Sequence, residues 1–264
     1  MGHWYQTDGT ERYDAGIKIA REEGLLPSVT TILGVIDDPW ALKNWRTDQA
    51  IMQTMTLPTI ENEPPDAYVA RVKRSMDDEQ EKTTGIGRGV HSLCELYLGS
   101  EAIDAGKIPV ESYRAYEDSK VEVYLKQMAE AAGGTGQTEQ VVVSPMGYAG
   151  RMDYGWGGDS VWDFKSQGVK EREGKASPGF YQDWARQLAA YAIACGRVED
   201  AVDAAKYLEQ CSVGSVIIST SRHRGSWERK WSTKALVKGW WIFVAAFELW
   251  KVLNGYDPSG SLAL

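Results

Sequence analysis

The stretch 148–167, YAGRMDYGWGGDSVWDFKSQ, constrains this chain more than any other. Two β-like runs flank a glycine-rich turn, Gly155-Trp156-Gly157-Gly158. In the second run, 160–165, side chains two apart share a face. Asp163 and Lys165 therefore stand together, and Trp162 and Phe164 take the opposite face. Two aromatics suit a buried core. A buried acid and lysine need each other or a metal ion to offset desolvation. Asp153 ends the first run. If the runs pair as a hairpin, Asp153 comes to lie beside Asp163, where a divalent cation would relieve the repulsion between the carboxylates. The same pattern on a solvated surface hairpin would be a plain salt bridge.

Two further segments carry polar pairs at helical spacing. His91 and Glu95 are i and i+4 after a glycine-rich entry, Gly85-Ile86-Gly87-Arg88-Gly89. Gln187 and Tyr191 are i and i+4 in an otherwise apolar run. Taken in order, G-x-x-x-H (Gly87 to His91), G-x-x-D (Gly150 to Asp153), D-x-K (Asp163 to Lys165) and Q-x-x-x-Y (Gln187 to Tyr191) resemble the PD-(D/E)XK nuclease superfamily, in its RecB-like and phage exonuclease branch. The resemblance covers about 85–221. Met152 stands where the family name has proline, a position that is not a ligand.

The resemblance implies an α/β fold: a restriction-endonuclease-like mixed central sheet flanked by helices, with an N-terminal helical extension. It divides the chain into an extension, 1–84, and a nuclease core with a C-terminal helix, 85–264. It implies one or two Mg²⁺ or Mn²⁺ ions held by His91, Asp153, Asp163 and the carbonyl of Phe164. Lys165 would position or help deprotonate the attacking water, Gln187 would orient Lys165 or the water, and Tyr191 would touch DNA phosphate or brace its helix. Glu95 and Glu139 are candidate additional acids. Arg88, Tyr191, Arg222 and Arg224 are candidate DNA contacts. The implied activity is metal-dependent hydrolysis of DNA from its ends, in a phage-encoded enzyme working in a host cytoplasm in recombination, repair or DNA degradation. The implied partners are DNA, single-stranded or with free ends, and a phage recombination or single-strand-binding protein. A restriction-type or structure-specific endonuclease, and a DNA-end binding protein without catalysis, remain open.

Composition bounds these expectations. No apolar run reaches the ~18 residues of a membrane span. Three scattered cysteines, Cys94, Cys195 and Cys211, with no C-x-x-C, predict neither a disulfide framework nor the four-cysteine iron–sulfur cluster of some RecB-like nucleases. The net charge of −8 runs against a phosphate-binding protein. Local charge differs: acids crowd into Asp77-Asp78-Glu79-Gln80-Glu81, and cations into Arg222-His223-Arg224 and Arg229-Lys230.

The remaining pattern predicts a short helix capped by Ser28 or Thr30, and a helix over 40–55 opened by Pro39. Trp45 and Arg46 in the latter suit either a core or a clamp on a single strand. Helices are expected over 66–81, from the glycines into His91, over 112–131, over 180–194 and over 233–253. Strands are expected over 139–144, 213–221 and 227–231, and a polar loop over 167–178.

Overall fold

The structure is a computed structural model that describes residues 3–36, 39–100 and 104–260. The chain begins with a small sheet. β1 (Trp4–Tyr5) pairs antiparallel with β2 (Glu11–Arg12) and, after α1 (Ile17–Glu23), with β3 (Leu26–Pro27). Ser28 then caps α2 (Val29–Leu33), its Oγ accepting the Thr31 N–H at 3.0 Å. The extension is thus part sheet, where the sequence reading expected helix: Trp4 packs against Trp250 and Tyr5 against Leu26 and Ala149.

α3 (Pro39–Thr56) opens at Pro39 as expected. The side chains of Trp40 and Trp45 lie outside the described residues. α4 (Pro65–Tyr97) corrects an expectation: 66–81 and the His91 segment form one helix, and the boundary at 84/85 falls inside it. Its glycines stand within the helix and do not open it. A Cβ at Gly87 would stand 2.5 Å from Ser166 Oγ, and one at Gly89 would strike Ser112 Oγ. Absence of side chains here lets the helix approach its neighbours, which outweighs the ~1 kcal/mol cost of each glycine in a helix. The stretch 112–131 divides into α5 (Val110–Ser119) and α6 (Glu122–Ala132), because Lys120 takes a left-handed conformation at φ +55°.

Next come β4 (Gln137–Ser144), β5 (Tyr148–Trp156) and β6 (Ser160–Gln167). The polar loop contains a small hairpin, β7 (Lys170–Arg172) and β8 (Lys175–Ser177). α7 (Gln182–Cys195), α8 (Ala201–Tyr207), β9 (Ser212–Ser219), β10 (Ser226–Lys230) and α9 (Thr233–Asn254) complete the chain. α8 had no counterpart in the sequence reading; Asp200 caps it by accepting the Val202 and Asp203 N–H groups.

The central sheet has the order β10-β9-β6-β5-β4. β6 and β9 are parallel, joined by a crossover through α7 and α8; the other neighbours are antiparallel. Helices cover both faces. Val142, Tyr148, Met152 and Val161 pack with α7 and α9, around Leu188, Trp240 and Phe243. Trp162, Phe164, Val216 and Ile218 pack with α4, α5 and α6, around Val90, Tyr116 and Leu125. The fold is therefore α/β, with a mixed, mostly antiparallel sheet between helical layers. Among the described residues no helix is long and apolar enough to cross a membrane.

Candidate active site

Residues 148–167 form the β5–β6 hairpin, with a tighter turn than the glycines suggested, at 157–159. Asp153 lies within β5 and does not end it. The register Tyr154↔Trp162, continued by one rung, sets Asp153 opposite Asp163. There the ladder gives way to a side-chain contact: the Phe164 N–H donates to Asp153 Oδ2 at 2.7 Å. On the other side of β5, Gln140↔Met152 and Thr138↔Tyr154 bracket a rung of Glu139 against Asp153. Glu139 sits at φ +49°, a strained conformation for a residue with a side chain. The alternation of β5 also slips here, since Met152 packs towards α7 and Tyr154 towards α6. The kink aims the Asp153 region into a cleft of about 780 Å³ between the sheet and α4.

Asp163 is 3% exposed. Its Oδ1 accepts from Lys165 Nζ at 2.6 Å, and its Oδ2 is buried without a hydrogen-bond partner. Burial pushes the Asp163 carboxyl up to about 6 against the pull of Lys165, and the Asp153 charge adds to the rise. Burial works against the Lys165 ammonium, but Asp163 and Asp153 outweigh it and raise its pKa. The Lys165 Nζ also lies 5.9 Å from the centre of the Trp184 ring on α7.

α4 brings Arg88, His91 and Glu95 to the cleft. His91 Nδ1 is 3.7 Å from Asp153 Oδ2, and its ring stands edge-on to Phe164 at 6.4 Å. Glu95 is raised by burial and then by Asp153. Glu139 is raised to about 7 by burial, with Asp153, Glu95 and Glu11 adding to the effect and Arg151 opposing it. Tyr191 of α7 also lines the cleft. Its hydroxyl accepts from Gln187 Nε2 at 2.8 Å, and burial holds its pKa above the usual tyrosine value. Gly150 makes room for that ring, because a Cβ there would run into Tyr191 Cε1.

The fold thus gathers His91, Glu95, Glu139, Asp153, Asp163, Lys165, Gln187 and Tyr191 around one kink. Gln187 engages Tyr191, where the resemblance implied Lys165 or a water. Arg222 and Arg224 do not line the cleft; Arg224 Nε pairs with Asp118 at 3.5 Å, and Arg222 Nε lies against His223 Nε2 at 3.3 Å. Sequence reasoning missed Arg151, whose Nε meets Glu139 Oε2 at 2.7 Å and whose Nη1 meets Glu11 Oε1 at 3.5 Å. Its place inside G-x-x-D was the available signal. It also missed His3 and Tyr5, and it read Ser28 and Thr30 only as helix caps; the extension folds all four over the cleft.

Among the described residues no three His, Cys, Asp or Glu side chains stand together in an arrangement able to hold a metal ion. The set available is smaller: two carboxylates, the Phe164 main chain between them and His91 at the margin. The unpartnered, buried Asp163 Oδ2 is the feature that fits a cation, because an orphaned carboxylate oxygen in a dry site costs about 1–3 kcal/mol or more. Comparison of the chain with protein-family models and with curated proteins finds no match.

Proposed function

We propose that this chain is a metal-dependent deoxyribonuclease of the PD-(D/E)XK superfamily, RecB-like branch, hydrolysing phosphodiester bonds from DNA ends. The single observation that carries the reading is the Asp153–Asp163–Lys165 constellation: two acids at one distorted rung, one buried with a free oxygen, and a lysine 2.6 Å from it. The order α4-β4-β5-β6-α7-β9 supports it, since it is compatible with a restriction-endonuclease-like core carrying His91 before the sheet and Gln187 and Tyr191 after D-x-K.

Asp153, Asp163, the Phe164 carbonyl and His91 would hold Mg²⁺ or Mn²⁺. Oxygen donors suit such hard cations, and the imidazole adds tolerance for Mn²⁺. When bound, the ion lowers the pKa of a water and withdraws charge from the phosphoryl oxygens. The chain's own residues do the rest. The Lys165 ammonium, anchored by Asp163 and backed by Trp184, orients the attacking water and stabilises negative charge as it develops. Arg88 and Arg151 offset the acids of the cleft for an anionic strand. Gln187 fixes the Tyr191 hydroxyl beside the path of the backbone.

A panel of end-labelled linear single strands, linear duplex and covalently closed circles, incubated with Mn²⁺, Mg²⁺ or chelator, tests the reading. Metal-dependent loss of linear DNA with circles intact is expected. Cutting of circles would establish the endonuclease instead. Binding without cleavage of any substrate would establish the DNA-end binding protein.

A further inference from the structure

The β7–β8 hairpin leaves the catalytic strand two residues after Lys165, and its charges are sorted by face. Register pairs Lys170 with Ser177 and Arg172 with Lys175, so these four side chains share one face; Glu171, paired with Ala176, is on the other. Lys170, Arg172 and Lys175 are exposed, and none makes an ion pair with a described residue. Like charges directly opposite destabilise a two-stranded ribbon, so hairpin stability gives no reason for Arg172 to face Lys175. The tip is a tight two-residue turn with both central residues, Glu173 and Gly174, at positive φ.

The opposite side is braced. The Thr220 N–H donates to the Gln167 carbonyl at 3.0 Å, the Val169 N–H to Ser221 Oγ at 3.2 Å, and Ser221 Oγ to the Val169 carbonyl at 3.0 Å. Glu171 Oε2 meets His223 Nε2 at 3.3 Å. The single acid of the strands is thereby turned to the β9–β10 turn, and the cations are left to solvent. On a chain of net charge −8, three cations outside any ion pair with a described residue share one face of the hairpin, and with Glu171 turned to His223 and Glu173 in the turn the segment keeps a local positive excess.

We propose that this face is a second polynucleotide contact, which binds backbone phosphates of the substrate strand flanking the cleft. The inference rests on the nuclease reading. Four residues lie between Lys165 and Lys170, and the five steps reach at most about 18 Å. At ~3.4 Å per stacked nucleotide, a strand in the cleft comes under the hairpin within about five nucleotides.

The test uses the full chain in chelator, where nothing is cleaved. Binding of a long end-labelled single strand, and of one too short to reach the hairpin, is measured across a salt series. In the triple variant Lys170→Gln, Arg172→Gln, Lys175→Gln, the slope of log affinity against log salt is expected to flatten by about 2, three cations at ~0.7 each. Affinity for the long strand falls at least tenfold at low salt, and that for the short strand is unchanged. Ser177→Lys adds a cation to the same face and steepens the slope by about 0.7, so the inference stands on a gain of binding should the triple variant fold poorly. Unchanged slopes in both variants, with wild type binding and cleaving DNA, overturn this inference alone. Wild type that neither binds nor cleaves overturns the nuclease reading and this inference with it.

Discussion

The β5–β6 and β7–β8 hairpins share a backbone plan and treat charge in opposite ways. In the first, Asp163 is buried and Lys165 stands over it at 2.6 Å, with Trp162 and Phe164 filling the core behind. In the second, Lys170, Arg172 and Lys175 face water outside any ion pair with a described residue, with Glu171 turned to His223 and Glu173 in the turn. Asp163 is held by packing, and removal of Lys165 leaves its carboxylate buried without a partner at a cost of about 3–5 kcal/mol. The exposed cations are screened by solvent and weigh little on stability. The difference teaches where each can be useful. Charges locked into a core have fixed geometry and altered proton affinity, which suits bond-breaking. Charges on a solvated ribbon have neither, and suit long-range attraction of an anionic strand.

The largest effect should follow from breaking the buried side of the comparison. Lys165→Ala is expected to lower the single-turnover cleavage rate by roughly 10²–10³-fold, the usual cost of one electrostatic group aimed at developing charge. Phe164 is fully buried beneath the same strand, so Phe164→Ala should cost about 3–5 kcal/mol in urea unfolding. Gly150→Ala drives a methyl into the Tyr191 ring and should cost about 1–3 kcal/mol, with the cleft distorted along with it.

A smaller effect concerns protons. The folded pKa of Glu139 is about 7 against an ordinary 4.5, so the folded state holds this proton more tightly than the unfolded chain does. Its contribution to stability is complete below about pH 4.5 and is lost as pH rises through 7. Glu139→Gln should therefore leave the melting temperature unchanged on the acid side, raise it above pH 7 and flatten the profile between, as read by thermal melts. The smallest effect belongs to the solvated hairpin: Lys175→Thr relieves repulsion from Arg172 and should stabilise the chain by no more than about 1 kcal/mol.

The core of the fold was legible because its signals are local. Alternation in 160–165 places Trp162 and Phe164 on one face, and the structure buries both among α4, α5 and α6. A cap at Ser28 or Thr30 and the helix over 233–253 follow from local pattern, and the structure places the cap at Ser28. What the sequence hid depends on distant partners. Gly87 and Gly89 read as the entry to a helix, and that they stand inside a longer one is explained only by Ser166 and Ser112, which occupy their Cβ space. Lys120 in a left-handed conformation carries no glycine or asparagine to announce it. In the site, spacing alone set Asp163 beside Lys165, and the hairpin register brought Asp153 opposite. Arg151 stood inside a readable pattern, but its pairing with Glu11 and the place of His3 could not be read, since the kink at Glu139 and the folding back of β1 and β2 are tertiary events.

The most direct test of the central claim is cleavage of linear end-labelled DNA in Mn²⁺ by wild type and by Asp163→Asn, each checked for fold by circular dichroism. The account predicts a wild-type reaction that chelator stops and a folded variant that does not cleave. Wild-type cleavage by the folded variant would contradict it, because hydrolysis would then not depend on the buried carboxylate whose free oxygen defines the site.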